Sequence, residues 1–166
     1  MPPEHRPRFS LRVLVALAAI SVICLSCGEK VVLEIRMHAL CKDDAGLKVY
    51  QTGLLPPSAR RPDGSILLGA PMKLPDGWHF TRIGDDDFRL EWKDEILNDG
   101  NPYDHLYSDG KLLRNLQRLR RMADRAVVAE SVSYTRVGGE LTPFGMPSVS
   151  ICPAKSLQIL SAALPR

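Results

Sequence analysis

The chain has 166 residues, about the length of one domain. Its composition, 45% hydrophobic, 25% charged and 6% aromatic, excludes a coiled coil, a collagen-like repeat and a largely disordered chain, because each of these needs a strong compositional bias. The formal net charge is +3, and four cysteines are too few for a disulfide-dense miniprotein.

The first predicted element is an apolar run near the N-terminus. Val13–Leu25 contains no charged residue and follows a positive start, in which Arg6, Arg8 and Arg12 stand against the single acid Glu4. Such a pattern is typical of a bacterial secretory signal, and the run is shorter than the ~20 residues that span a bilayer. We therefore predict export. The alternative is a short membrane helix that is never cut.

The end of this run reads Cys24-Leu25-Ser26-Cys27-Gly28. It resembles the lipobox of bacterial lipoproteins, in which a small residue precedes the cysteine that is acylated and becomes the first residue of the mature chain. The resemblance implies acylation of Cys27 and removal of residues 1–26 as a signal peptide. Because Gly28 and not an aspartate follows, it also implies the outer membrane, facing the periplasm. The alternatives are the inner membrane, or the periplasm after a general signal-peptidase cut near Ser26.

Removal of the signal changes the charge balance of the chain. It takes away three arginines and one glutamate, which leaves 19 basic and 18 acidic residues in 27–166. A domain this close to neutral has no global field that would attract a polyanion. Nucleic acid is therefore not expected as a partner.

Cysteine parity then predicts a crosslink. If Cys24 leaves with the signal and Cys27 is acylated, Cys41 and Cys152 remain as an even pair in an oxidising compartment. A disulfide between them would tie the start of the domain to its end. Two buried free thiols are the alternative, and without acylation of Cys27 three thiols would compete.

The first part of the domain is predicted to be a hairpin. Val31–Met37 alternates apolar and polar residues as a half-buried strand does, and Lys48–Leu55 holds a second strand candidate after the turn at Asp43–Gly46. This connection is too short for a crossover helix, so we expect antiparallel pairing. The segment His38–Tyr50 resembles uncharacterised small exported proteins of proteobacteria. The resemblance implies the same compartment, and it carries no assigned activity over to this chain.

A Pro/Gly-rich loop and a second hairpin are predicted next. Residues 54–77 carry five prolines and three glycines, which favours an extended surface loop with one brief strand at Ile66–Leu68. Trp78–Ile83 and Phe88–Trp92 flank the turn at residues 84–87, and the second arm alternates cleanly with period two. We expect these two arms to pair.

The following segment indicates a long amphipathic helix over about Gly110–Val128, preceded by an N-cap at Asn101-Pro102. Spacings of four and three residues make one apolar stripe, whose members are Leu112, Leu116, Leu119, Ala123 and Ala126. The opposite face would carry a row of arginines. The row is either a solvated helix face or a site for anionic groups, and its members are Arg114, Arg118, Arg121 and Arg125.

Two strands and a short C-terminal element complete the domain. Ser131–Val137 and Ser148–Cys152 are predicted strands, with a turn at Gly138-Gly139. Residues 154–166 either form a short helix or continue without regular secondary structure. The predicted fold class is therefore α+β, a small antiparallel sheet with one long amphipathic helix packed on it, in a single domain over residues 27–166.

Catalytic motifs are absent from the sequence. His38 and Cys41 have a ligand-like spacing but lack the second pair that a structural zinc needs, so neither a metal nor a cofactor is predicted. A dispersed catalytic site would first be sought at His105, between Tyr103 and Tyr107.

The sequence therefore predicts an exported, lipid-anchored cell-envelope protein that acts by binding or scaffolding. Its expected partners are the membrane, through N-terminal acyl chains, and an anionic lipid, a polysaccharide or an acidic protein, through the arginines. The alternatives are a periplasmic enzyme with a hydrolytic site and an uncleaved inner-membrane protein with a single helix.

Overall fold

A computed structural model describes residues 11–55, 57–103, 109–140, 146–153 and 158–165. Two helices and seven strands make up these parts of the chain, together with a short 3-10 turn at Pro57–Ala59. In chain order they are α1 (Leu11–Asp44), β1 (Gly46–Val49), β2 (Met72–Lys73), β3 (His79–Ile83), β4 (Phe88–Asn98), β5 (Lys111–Arg121), β6 (Val127–Val137), β7 (Val149–Cys152) and α2 (Ile159–Ala163).

All seven strands belong to one antiparallel sheet. Its order is β2-β3-β4-β5-β6, and two short strands share the remaining edge of β6. Strand β1 pairs with residues 129–132 of β6, whereas β7 pairs with residues 134–137. The long strands β4, β5 and β6 therefore form the middle of the sheet, and its outer strands are short.

The predicted helix over Gly110–Val128 is wrong. This segment forms β5, a turn and the start of β6, and β5 is hydrogen-bonded to β4 and β6 along almost its whole length. Leu112 and Leu119 are both fully buried, but they lie on opposite faces of the sheet, in two separate cores. The leucine spacing resembles that of a helix because the buried face of β5 changes along the strand. Near the start of β5 one face is covered, and near its end the opposite face is covered.

The predicted strand Val31–Met37, and with it the first hairpin, is also wrong, because these residues belong to α1. Leu33 and Met37 are buried one helical turn apart, whereas Val31 and Ile35 are 52% and 66% exposed. The apolar residues of this segment are compatible with a strand or with a helix. In the helix, the sheet covers one side, so Leu33 and Met37 are buried and the others remain exposed.

Each face of the sheet carries its own core. On the face that we call the α1 face, Leu33 and Met37 of α1 pack against Leu112 and Tyr134. On the opposite face, the α2 face, the helix α2 packs over Leu119 and the residues around it. The chain thus sandwiches a central sheet between a long helix and a short one, each over a different end of β5.

Several predictions are confirmed. Strands β3 and β4 form the expected hairpin, with His79–Ile83 paired to Phe88–Trp92. Strand β6 includes the predicted segment Ser131–Val137, and β7 covers all of the predicted strand Ser148–Cys152 except Ser148. Of the two alternatives for the last residues, the structure has the short helix α2. Ile66 and Leu68 make single bridges and no continuous strand. The second strand candidate, Lys48–Leu55, is displaced, because β1 begins at Gly46 and overlaps the candidate only at Lys48 and Val49.

The antiparallel sheet with a long helix on it is thus present, although sheet dominates the fold and the long helix is the N-terminal one. The side chains of α1 that pack on the described sheet belong to its second half, and the helix contacts β6 and β7. Within the described part of the chain, no helix combines the length and the apolar character needed to cross a membrane.

Candidate functional site

The four arginines of the predicted row do not lie on one surface. Arg114 and Arg118 occupy alternate positions of β5, where side chains share a face, and both lie on the α1 face. Arg121 lies on the opposite face, and Arg125 is in the turn before β6 with a positive φ of 59°. Only the first two can therefore contribute to a common site.

Arg114 joins the end of α1 to the sheet. Its Nε donates to Oδ2 of Asp44 at 3.0 Å, and its Nη1 donates to Oε2 of Glu95 at 3.1 Å. The Tyr134 hydroxyl donates to the same Asp44 oxygen at 3.0 Å. The hydrogen bond from Arg114, assisted by Tyr134, lowers the pKa of the Asp44 carboxyl below its ordinary value.

Arg118 combines an ion pair with an aromatic contact. Its Nε donates to Oε2 of Glu91 at 2.5 Å, and the Glu91 side chain is only 8% exposed. The guanidinium carbon lies 3.9 Å from the centre of the Trp78 ring, within the range of a cation–π interaction. Arg120 also donates to Glu91, at 3.0 Å. The hydrogen bonds that Arg118 makes to described residues thus use Nε and leave its two Nη groups for a ligand.

A cavity of about 190 Å³ opens between the end of α1 and the sheet, and we call it the sheet cavity. Arg114, Arg118 and Lys48 contribute three cations to its lining, against the carboxylates of Asp44 and Glu130. Glu130 accepts a hydrogen bond from the Tyr50 hydroxyl at 2.7 Å. Within the described parts, Lys48 makes no ion pair with a carboxylate, so an incoming anionic group would find Lys48 and the Nη groups of Arg118.

The second half of α1 is clamped to the sheet by two groups of contacts. Cys41 and Cys152 form the predicted disulfide, with Cα atoms 6.0 Å apart. Near the other end of this half, Arg136 of β6 pairs with Glu34 at 2.6 Å, and Ser150 of β7 donates to the other oxygen of Glu34 at 2.7 Å. The helix is therefore fixed to both β6 and β7.

Sequence reasoning missed the arginine of this clamp. Arg136 is 2% exposed, although it lies in a strand whose alternation was recognised. Glu34 and Arg136 are 102 residues apart and were assigned to separate strands, so no local pattern paired them. One signal in the sequence could have identified Arg136, namely its place among the positions of the strand that the alternation predicts to be buried. A buried charged residue needs a partner of opposite charge, so this placement predicts a buried ion pair.

The other predicted candidates are placed as follows. Cys27 lies within α1. His38 lies 3.3 Å from Glu34, and Cys41 is in the disulfide, so these two do not form half of a zinc site. His105 lies outside the described residues. Among the residues that are described, no group of three His, Cys, Asp or Glu side chains is placed to hold a metal ion.

Comparison with protein-family models, with curated proteins and with solved structures finds no match. Any function assigned to the chain therefore has to follow from its own residues. On the α1 face, the described residues offer the clamp that fixes α1 and the cation-lined sheet cavity next to it.

Proposed function

We propose that the chain is an exported bacterial protein, held at the cell envelope by acyl chains on Cys27, whose domain acts by binding an anionic partner. The observation that carries the proposal is the disulfide between Cys41 and Cys152. Disulfides persist in oxidising compartments such as the periplasm and are rare in the cytosol. The disulfide therefore favours export, as the positively charged start and the apolar run Val13–Leu25 also do.

The distribution of contacts along α1 supports acylation at Cys27. The described tertiary hydrogen bonds of the helix begin at Lys30, whose backbone N–H donates to the Gly139 carbonyl at 2.9 Å. Among the side chains of α1 whose burial is described, Leu33 is the first that is buried. Earlier in the helix, Val15 and Ile20 are 61% and 57% exposed. Loss of residues 1–26 would thus remove none of the described contacts between helix and sheet.

The Gly139 contact marks where the docked part of the helix begins. Gly139 has a φ of +90°, and a Cβ at this position would lie 2.9 Å from the backbone nitrogen of Lys30. Glycine therefore permits the close approach of the β6 end to the helix just after Cys27. Two or three acyl chains on Cys27 would hold the domain at a membrane, because one chain alone gives only marginal binding.

The sheet cavity is the proposed binding site for the anionic group. Lys48 and Arg118 offer donors that no described carboxylate occupies fully, and Trp78 holds the Arg118 guanidinium in place. An anionic lipid, a polysaccharide or an acidic protein could supply the anion. The cations are partly balanced by Asp44 and Glu130, so we expect recognition of one small group and not a general attraction to polyanions.

Metabolic labelling with a palmitate analogue tests the anchor. We expect the native chain to be labelled and to fractionate with membranes, and Cys27→Ala to lose both properties. Cys24→Ala is the matched control, because it removes a neighbouring thiol that is expected to leave with the signal. Equal labelling of native chain and Cys27→Ala would overturn the anchor. An unlabelled chain found soluble in the periplasm would overturn the anchor while leaving export intact.

A further inference from the structure

A second cavity lies on the α2 face, and of its described lining residues only Gln117 also lines the sheet cavity. It is an open groove of about 470 Å³ between α2 with its flanking residues and the segment Arg60–Ile66, and we call it the terminal groove. This volume falls within the range of about 300–1,000 Å³ found for small-molecule sites. The groove is therefore large enough for an organic ligand.

The floor of the groove is aliphatic, whereas polar side chains lie around it. Ile66, Leu90 and Leu160 line it and are partly buried hydrophobic residues packed against the core of the α2 face. Among the described residues that line the groove there is no aromatic ring and no carboxylate. Such a surface suits a flexible hydrocarbon chain, because burial of methylene groups gives the main gain and no ring is available for stacking.

One cation lies at this apolar lining. Arg60 is the only charged side chain among the described residues that line the groove, and its described contacts are both 3.4 Å long, to the carbonyl oxygens of Gly64 and Pro165. Other arginines of the domain pair with carboxylates, namely Arg82, Arg89, Arg114, Arg118, Arg120, Arg121 and Arg136.

The contacts of Arg60 make it suitable for a ligand carboxylate. A guanidinium presents a planar fork of N–H donors that matches a carboxylate bidentately, and charge-assisted bonds of this kind are stronger than bonds to carbonyl oxygens. A carboxylate that reached Arg60 would therefore replace two long, weak contacts with better ones.

We propose that the terminal groove binds the single aliphatic chain of a fatty acid, with the carboxylate on Arg60 and the hydrocarbon along Ile66, Leu90 and Leu160. Gln117 and Ser161, which also line the groove, add polar groups beside the apolar floor. This site shares only Gln117 with the described lining of the sheet cavity, and it does not depend on the fate of Cys27, because its described residues all belong to the sheet, the loop 60–66 and the C-terminal segment.

A photoreactive dodecanoate that carries a diazirine on its chain tests this proposal. The full chain is held in phosphatidylcholine nanodiscs, illuminated and digested, and the labelled peptides are identified by mass spectrometry. The corresponding photoreactive dodecanol is the neutral comparison. We expect the dodecanoate to label peptides that contain Ile66 or Leu160, and more strongly than the alcohol does.

Three variants complete the test. Arg60→Gln should reduce dodecanoate labelling of the groove about tenfold and leave dodecanol labelling unchanged, since the charge-assisted pair is lost and the floor is kept. Arg61→Gln, a change of the exposed neighbour, should alter neither. Ser161→Trp should fill the groove from an exposed position and abolish labelling by both probes.

Three results would overturn the proposal. Labelling confined to the apolar half of α1 would show that the probe simply follows the lipid. Equal dodecanoate labelling in native chain and Arg60→Gln would remove the role of the cation, and unchanged labelling in Ser161→Trp would exclude the groove even if Arg60→Gln failed to fold.

Discussion

Arg136 of β6 and Glu34 of α1 form an ion pair across the helix–sheet interface, with Nε and Oε2 2.6 Å apart and the arginine side chain only 3% exposed. Glu140 gives the guanidinium a second carboxylate at 3.5 Å. Removal of one partner from a buried pair is costly because the other charge stays buried, typically about 3–5 kcal/mol. The Glu34 side chain is 30% exposed, so the cost here should be smaller.

The first prediction concerns this pair. Glu34→Gln should lower the free energy of unfolding by about 1–3 kcal/mol, because Arg136 would keep only its weaker carboxylate partner. Urea denaturation followed by circular dichroism measures the change. Asp43→Asn, on an exposed position of the same helix, is the control and should have little effect. Equal effects of the two substitutions would contradict the clamp.

The second prediction concerns the disulfide. Cys41 and Cys152 are 111 residues apart in the chain, and the entropy of closing a loop of that size corresponds to about 4–5 kcal/mol, often less in practice. The double variant Cys41→Ser, Cys152→Ser should therefore unfold at a clearly lower urea concentration. In the native chain, thiol blocking without reductant followed by mass measurement should find both cysteines unmodified. Free thiols at both positions would refute the crosslink.

The third prediction separates the two cores of the sheet. Leu112→Ala and Leu119→Ala should each cost about 2–5 kcal/mol, because each removes a fully buried side chain. Ile96→Ala, at a site that is 54% exposed in β4, should cost far less. The double variant should show additive costs within about 0.5 kcal/mol, since the two leucines belong to different clusters. Strong coupling would argue for one shared core.

The fourth prediction follows from the lowered pKa of Asp44. A carboxyl whose pKa is lower in the folded state than its ordinary value near 4 stabilises the fold above that value. This stabilisation is lost as the pH falls through the lower, folded-state pKa. Asp44→Asn should thus flatten the acid limb of the stability profile below about pH 4, and Asp43→Asn should not. Identical acid limbs in native chain and Asp44→Asn would count against the Arg114 contact.

The fifth prediction distinguishes the sheet cavity from the arginine row. Lys48→Gln should weaken the attachment of the chain to vesicles that contain anionic phospholipid, with a dependence on salt. Arg125→Gln, in the turn, should not weaken it. Arg121→Gln should also be neutral, because Arg121 lies on the other face and pairs with Asp124 at 2.7 Å. If Arg121→Gln or Arg125→Gln weakened vesicle attachment as much as Lys48→Gln does, the anion would bind outside the sheet cavity.

Local sequence patterns were sufficient to predict a strand where the same face of that strand is buried along its whole length. The hairpin of β3 and β4 was predicted because its turn and its alternation both lie within about fifteen residues of sequence. The disulfide was predicted from cysteine parity together with the expectation of export, and neither step needs knowledge of the fold. The strand Ser131–Val137 was found from its alternation alone.

Local sequence patterns gave the wrong secondary structure where the burial of a residue depends on elements that are far away in the sequence. Leu112 is buried by α1 and Leu119 by the residues around α2, so the buried positions of β5 change face along the strand and the period of two disappears. Arg114 and Arg118 looked like a solvated helix face because their partners, Asp44, Glu95 and Glu91, come from other elements. The sheet cavity is therefore a product of tertiary pairing that no window of sequence contains.

The short stretch of α1 between Cys27 and its first contact with the sheet would limit how far a lipid-anchored domain can travel. Gly28 and Glu29 alone separate Cys27 from Lys30, whose backbone N–H donates to Gly139, and at a rise of about 1.5 Å per residue Lys30 lies about 4.5 Å along the helix axis from Cys27. A domain fastened to lipid at Cys27 would therefore lie close to the bilayer, with little freedom to change its orientation. Its binding sites would stay within a few nanometres of the membrane surface. A domain on a long flexible linker, by contrast, could reach ligands farther into the periplasm.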